Sequence, residues 1–208
     1  MQSLRDIIRS LASLSEPKMS PPRTAQQTLE LVSTASKLLS HVNDSSSING
    51  LEREPVSNII QVLNELTIQL SSSVRKEKAN LIKGLYVIID PRVTGGRNPL
   101  TIAQASVRGG ASMLQLRDKF RDKDESLALA FNLQKLCASS GVSLIINDHV
   151  DIAAIVGSDG VHVGQTDVPV NQARLVLSPG QVLGRSNRDI EQLIESERMG
   201  VDHVAFGA

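Results

Sequence analysis

From Leu85 onward the chain repeats one phrase: a helical stretch, a glycine, then a short apolar run rich in β-branched residues. The runs are LYVIID (85–90), SMLQL (112–116), SLIIN (143–147), DGVHV (159–163), QVLGR (181–185) and DHVAF (202–206). Between them, Pro99–Arg108, Asp124–Ser140, Val150–Val156, Val170–Leu177 and Asp189–Met199 carry apolar residues at helical spacing. Strict alternation of β and α, with nearly continuous apolar strands, predicts a parallel sheet covered by helices. Glycines ahead of the strands (Gly109-Gly110, Gly141, Gly157, Gly200) fit helices that end in a left-handed turn.

Six such units suit either an open doubly wound sheet or part of an eight-stranded barrel. The polar residues decide. Asp90, Gln115 with Arg117 and Lys119, Asn147 with Asp148, Gln165 with Asp167, and Ser186 each fall at the C-terminal end of a different strand. A barrel gathers its functional groups from many strand ends in this way. An open sheet gathers them at one switch point, usually beside a glycine-rich first turn. The first turn here, DPRVTGGRNP, has no G-x-G-x-x-G, and no Walker motif occurs. The expected fold is therefore a (β/α)8 barrel of the TIM type, with about six βα units present.

Residues 1–80 have a different texture, with few glycines and many serines. Leu4, Ile7, Ile8, Leu11 and Leu14 follow one helix face. A second pattern carries Leu29, Val32, Leu39 and Val42 and ends in the Ser/Asn/Gly cluster at 43–50. A third uses Val56, Ile59, Ile60, Leu63, Leu66 and Leu70, and is expected to dissolve at Ser71-Ser72-Ser73 and the charged run 75–78. Three amphipathic helices could form a small bundle. The expected organisation is a helical N-terminal extension over 1–80 and a partial barrel over 81–208, with the extension serving packing or assembly.

Composition removes several function classes. Lys+Arg and Asp+Glu are 22 each among 208 residues, so there is no basic excess for binding a polyanion. Aromatics make up 2%, too few for a base-stacking platform. No partner role with nucleic acid is expected. The apolar runs are far shorter than the roughly 20 residues of a membrane span. MQSLRDIIRSL carries charges inside its apolar pattern and does not read as a secretory signal. Cys137 is the single cysteine, which excludes an internal disulfide and points to a cytoplasmic location.

Two constellations carry chemistry. In an extended Gln115-Leu116-Arg117-Asp118-Lys119, alternate side chains share a face, so Gln115, Arg117 and Lys119 point together. An amide beside two cations suits a ligand that joins a hydrogen-bonding ring to a phosphate or diphosphate. The opposing reading is a solvated charged loop, since the run continues through RDKFRDKD. Asp148 and Asp167, on neighbouring strand ends, could hold Mg²⁺, which takes one or two carboxylates plus phosphate oxygens and water. Each could instead cap the helix that follows it. His162 alternates with Val161 and Val163 and would line the interior or satisfy a core hydrogen bond. His41, His149 and His203 have no sequence neighbour that suggests chemistry, and Cys137 belongs in the core.

At these residues the chain resembles the thiamine-phosphate synthase family. The resemblance rests on LYVIID, GGASMLQLRDK, GVSLIINDHVDIAAIVGSDGVHVGQTDVPVNQAR and VLGRS, and covers about 83–208. It implies a (β/α)8 barrel that joins a hydroxymethylpyrimidine diphosphate to a thiazole phosphate, releasing pyrophosphate. It implies Arg117 and Lys119 as catalytic residues within a substrate-binding run Gln115, Leu116, Arg117, Asp118 and Lys119, completed by Asn147 and Ser186. Asp148 and Asp167 match the metal ligands, with Mg²⁺ as cofactor. In the step so implied, pyrophosphate departs first and the thiazole nitrogen traps a pyrimidine carbocation, so no protein nucleophile is needed. Partners are the two small-molecule substrates, and a homo-oligomer is implied by the resemblance alone.

The chain also departs from the family. The family continues past the sixth strand into Gly-Pro, a Thr-x-Thr-Lys loop and two further βα units, whereas this sequence ends at Phe206-Gly207-Ala208. The expectation is a fragment or truncated product, inactive as written. The segment Gly184–Arg188 is more basic than the family's usual one, and would either alter diphosphate contacts or form salt bridges across strand ends. Two rival readings stand beside the synthase. A thiazole tautomerase would have no diphosphate or metal to manage, and a non-catalytic phosphate-ligand-binding protein would bind without turnover.

Overall fold

The computed structural model describes residues 24–44 and 53–207, apart from the side chains of residues 53 and 54. Two helices come first, α1 (Ala25–Asp44) and α2 (Arg53–Asn80). The βα region follows as β1 (Leu85–Ile89), α3 (Pro99–Arg108), β2 (Ala111–Leu116), α4 (Lys123–Ser140) and β3 (Ser143–Asn147). It continues as α5 (Val150–Val156), β4 (Gly160–Val163), α6 (Val170–Val176), β5 (Val182–Asn187), α7 (Ile190–Arg198) and β6 (His203–Phe206). The six strands form one sheet in the order β1-β2-β3-β4-β5-β6, and every pairing is parallel. Sequential order with a helix between each strand and the next is the winding of a barrel, and the sheet curls as half of one. The α/β fold and the helical region ahead of it agree with the sequence reading.

Strand parity divides the side chains into two environments. Leu114, Leu116, Leu144, Ile146, Val161, Val163 and Leu183 point outward into a dry layer against Ala130, Leu133, Ala153 and Ala173 of the helices. Fully burying each aliphatic side chain is worth about 1.5–3 kcal/mol, so this layer holds the sheet to its helices. On the inner face Met113, Ile145 and Val182 form a small apolar floor, with Tyr86 and Ile82 packed against it. Two residues further along the same strands the inner face turns polar, at Gln115, Asn147 and Gly184 followed by Ser186. The sequence therefore places an apolar floor at one end of the half-barrel and a polar rim at the other.

The serines at 71–73 do not end α2, which runs unbroken to Asn80. Thr67 donates its hydroxyl to the Leu63 carbonyl at 2.7 Å, and Ser71 bonds back to the Thr67 carbonyl in the same way. Hydroxyls satisfied one turn back are compatible with a helix interior. The charged run then finds partners on the barrel. Arg75 Nε reaches Asp202 Oδ1 at 3.2 Å, Arg75 Nη1 donates to the Pro179 carbonyl at 2.8 Å, and Lys78 meets Asp159 at 3.6 Å. Pro179, Asp159 and Asp202 all lie in loops that enter strands, so the two helices sit under the apolar floor. Ser36 Oγ and Asn64 Oδ1 join α1 to α2 at 2.6 Å. The pattern expected over residues 4–14 falls outside the described residues.

Candidate active site

The polar rim is built by strands β1 to β5 and the loops that leave them. Gln115, at the end of β2, is buried and donates to the Tyr86 hydroxyl of β1 at 2.8 Å. Burial pushes the Tyr86 hydroxyl up to about 12, with the Gln115 bond opposing the shift, so the phenol stays protonated. Arg117 sends Nη1 to Asp90 Oδ2 at 2.5 Å, while its backbone amide continues the ladder by donating to the Ile89 carbonyl at 2.9 Å. Lys119 Nζ lies 2.8 Å from Asp148 Oδ2. The three alternate residues of the run thus turn to the rim, as the extended spacing predicts.

The intervening residues turn the other way. Leu116 is buried in the layer against the helices. Asp118 is also buried: its Oδ2 accepts from Ser126 Oγ at 2.9 Å, and Arg121 Nε lies 3.7 Å away. Its carboxylate therefore braces the start of α4. Asp118 also offers its carbonyl to His149 Nε2 at 3.1 Å, which ties the β2 and β3 loops together.

Asp148 is the only non-glycine residue with positive φ among the described residues, at 63°. Aspartate is among the few residues that adopt this conformation readily. The cap of α5 is His149, with no side-chain capping bond, so Asp148 does not serve that helix. Its backbone amide instead donates to the His162 carbonyl at 2.8 Å. Asp167 accepts from the Gly164 amide at 2.6 Å, and the cap of α6 is Pro169. Neither aspartate fulfils the capping role open to it.

The Asp167 carboxyl acts on that of Asp148 from the neighbouring strand end. Burial raises the Asp148 carboxyl above the ordinary range; the Lys119 ammonium opposes that shift and Asp167 adds to it. Asn147 is buried one residue before, on the same strand end. Ser186 Oγ lies 2.9 Å from His162 Nε2. Burial, then the neighbouring His203, push His162 down to about 4, while Asp167 opposes them.

Three contributors were missed or undervalued in the sequence. Tyr86 and Asp90 share strand parity with Ile88 and so face the rim, a signal that was available. His203, read as lacking a partner, stands with its Nε2 3.2 Å from His162 Nδ1. That meeting depends on the pairing register, which no local pattern reveals. Arg185 resolves the question posed by the basic segment: it binds Glu195 at 3.0 Å and Gln165 Oε1 at 2.8 Å, so it braces strand and helix across the fold. A cavity of about 270 Å³ between α1, α2 and the loops entering the strands lies at the opposite end from the rim.

The architecture defines a βα-barrel protein whose C-terminal strand ends carry two cations, two facing carboxylates and a set of amides. The sequence model of the family described as thiamine monophosphate synthase matches residues 85–208, more than half of the chain. The chain belongs to that family. It is 37% identical over 123 residues to the thiamine-phosphate synthase of Shouchella clausii, covering 59% of each chain. It is 42% identical over 123 residues to that of Roseiflexus castenholzii, covering 59% of this chain and 54% of the relative. The solved thiamine phosphate pyrophosphorylase from Pyrococcus furiosus superposes with a TM-score of 0.58 at 29% identity, covering 63% of this chain and 62% of the other. The chain thus spans between a half and two thirds of these relatives. Among the described residues, no helix is long and apolar enough to cross a membrane.

Proposed function

We propose that this chain carries the pyrimidine-diphosphate half of a thiamine-phosphate synthase site. The supporting observation is the convergence of Lys119, Asp148 and Asp167, with Arg117 beside them, on three adjacent strand ends. Two carboxylates, partly desolvated and facing each other, repel unless a proton or a cation sits with them. In the absence of other cations Lys119 supplies part of that charge.

The donor set suits Mg²⁺, and Asp148 and Asp167 would hold it. The oxygen ligands are hard, and among the described residues no group of three or more His, Cys, Asp or Glu offers an alternative cage. Mg²⁺ characteristically takes one or two carboxylates and leaves its other positions to water and substrate phosphate. When bound, it would neutralise charge on the diphosphate.

The protein's own groups do the rest. Arg117 offers a planar fork and Lys119 a point charge to the diphosphate oxygens. As the bond between the pyrimidinylmethyl carbon and the bridging oxygen breaks, its electron pair leaves with pyrophosphate, where both cations stabilise the growing negative charge. The lone pair of the thiazole nitrogen then forms the new C–N bond. Gln115, fixed by Tyr86, and Asn147 would orient the pyrimidine ring, with Ser186 as a further contact.

Calorimetric titration of the chain with hydroxymethylpyrimidine diphosphate, with and without Mg²⁺, tests this reading. Binding should require Mg²⁺ and should be lost in Asp148→Asn. Tight binding that ignores both the metal and the substitution would remove the metal assignment, and no binding at all would remove the substrate.

A further inference from the structure

The inward positions Asn147, His162, Gly184 and His203 form one row across four neighbouring strands, each paired with the next. Glycine at the third place is a demand for space. A Cβ on Gly184 would fall 2.1 Å from both Cε1 and Nε2 of His203, and 2.5 Å from Nδ1 of His162. Two imidazoles meet through that gap. Nε2 of His203 lies 3.2 Å from Nδ1 of His162, and Nε2 of His162 lies 2.9 Å from the Ser186 hydroxyl. Gln165 Nε2 donates to the Ser186 carbonyl at 2.7 Å, so the backbone of Ser186 is held and its hydroxyl hydrogen is left to rotate. The relay ends at Nδ1 of His203, which is buried without a hydrogen-bond partner.

Only two proton orders fit a neutral relay. In one, Ser186 donates to His162, His162 donates to His203, and the stranded Nδ1 of His203 carries a hydrogen. In the other, every donor is reversed and the stranded Nδ1 is a bare acceptor. A buried N–H without a partner is the rarer and costlier defect, so the second order prevails.

We propose that His203 and His162 are positioning residues that fix the polarity of Ser186: His203 Nε2–H donates to His162 Nδ1, His162 Nε2–H donates to Ser186 Oγ, and the Ser186 hydroxyl hydrogen is left to donate to an acceptor nitrogen in the ring of the bound ligand. The proposal rests on the reading of Ser186 as a pyrimidine contact. It adds a specificity: the site selects a ring nitrogen with a free lone pair at this position. Gly184 is part of the device because any larger residue would part the imidazoles.

The test has two arms. In the chain labelled with ¹⁵N-histidine, long-range ¹H–¹⁵N correlation reports the tautomers directly. Both His162 and His203 should carry their hydrogen on Nε2, and hydrogens on Nδ1 of both would overturn the proposal whatever the ligand does. In the second arm, hydroxymethylpyrimidine diphosphate is compared with two analogues in which one or the other ring nitrogen is replaced by C–H. One analogue should bind about tenfold more weakly. Ser186→Ala should erase that preference, and His203→Phe should reduce it by releasing His162 to either tautomer. Equal binding of all three ligands to the unaltered chain would overturn the donation to the ring. Failure of all three to bind would sink the synthase reading instead, and the tautomer spectrum would then decide the positioning claim alone.

Discussion

The carboxylate of Asp90 closes on the guanidinium of Arg117 at 2.5 Å, each residue standing just beyond the end of its strand, β1 and β2. Asp90 is mostly buried, and its other oxygen accepts from the Arg92 amide at 2.9 Å. The carboxylate is thus fixed by backbone before it meets the cation. Lys119 likewise meets a carboxylate, that of Asp148, at 2.8 Å. Both cations of the run therefore pair with carboxylates from neighbouring loops.

Asp90→Asn should leave the fold intact and weaken pyrimidine diphosphate binding about threefold to tenfold, roughly the 1 kcal/mol of a partly exposed ion pair. Titration calorimetry of the variant at low and moderate salt reads this out. Unchanged affinity would mean that Arg117 finds its diphosphate geometry unaided.

The raised Asp148 carboxyl has a consequence for pH. Burial is the main cause, with Asp167 adding to it against the opposing Lys119. A carboxyl raised on folding binds its proton more tightly in the native than in the unfolded state, so its contribution is complete below the ordinary value of 3.8. It is lost as pH rises toward the raised folded value. The metal-free protein should therefore lose thermal stability through this group as pH rises from about 4. Asp148→Asn should flatten that part of the Tm profile and suits the left-handed backbone, where alanine would add strain. Mg²⁺ should restore stability to the unaltered chain at neutral pH and leave the variant unmoved. A profile indifferent to the substitution would deny the coupling between Asp148 and Asp167.

Cys137 lies in α4 with no exposed surface, and burial, then the nearby Asp159, push its thiol up to about 12. Both access and thiolate are withheld from reagents. A disulfide-exchange reagent at neutral pH should label it only as fast as α4 opens, and at once in denaturant. Rapid labelling of the native chain would show that this helix is not packed as the structure has it.

The strands were legible because β-branched apolar runs and preceding glycines are local signals. Val150–Val156 and Pro99–Arg108 even have the bounds that apolar spacing assigns them. The end of α2 was not legible, because serine–backbone bonds within the helix and contacts from Arg75 and Lys78 to distant loops outweigh local propensity. Within the site, parity alone put Gln115, Arg117 and Lys119 on one face and set Leu116 and Asp118 on the other. What sequence could not supply was register. The His162–His203 meeting needs β4, β5 and β6 aligned at one level, with a glycine between them.

Asp202 carries the last prediction, because one carboxylate serves three masters. It accepts from Arg75 Nε at 3.2 Å, from Arg174 Nη2 at 2.6 Å and from the Leu183 amide at 2.7 Å. It is mostly buried, so removing it takes the carboxylate from two guanidinium groups, which keep only carbonyl acceptors, and the acceptor from a strand amide. Loss of a carboxylate so placed costs about 3 kcal/mol. Arg75→Ala removes one of the ties between α2 and the barrel, leaving the contact of Lys78 with Asp159, and should cost about 1 kcal/mol. Denaturant unfolding should rank the two variants in that order. Hydrogen exchange should separate them further: Arg75→Ala should speed exchange in α2 and leave β5 protected, whereas Asp202→Ala should loosen both. Equal effects on α2 and β5 in the two variants would mean that the helices and the barrel unfold as one unit, with Arg75 no more than one bond among many.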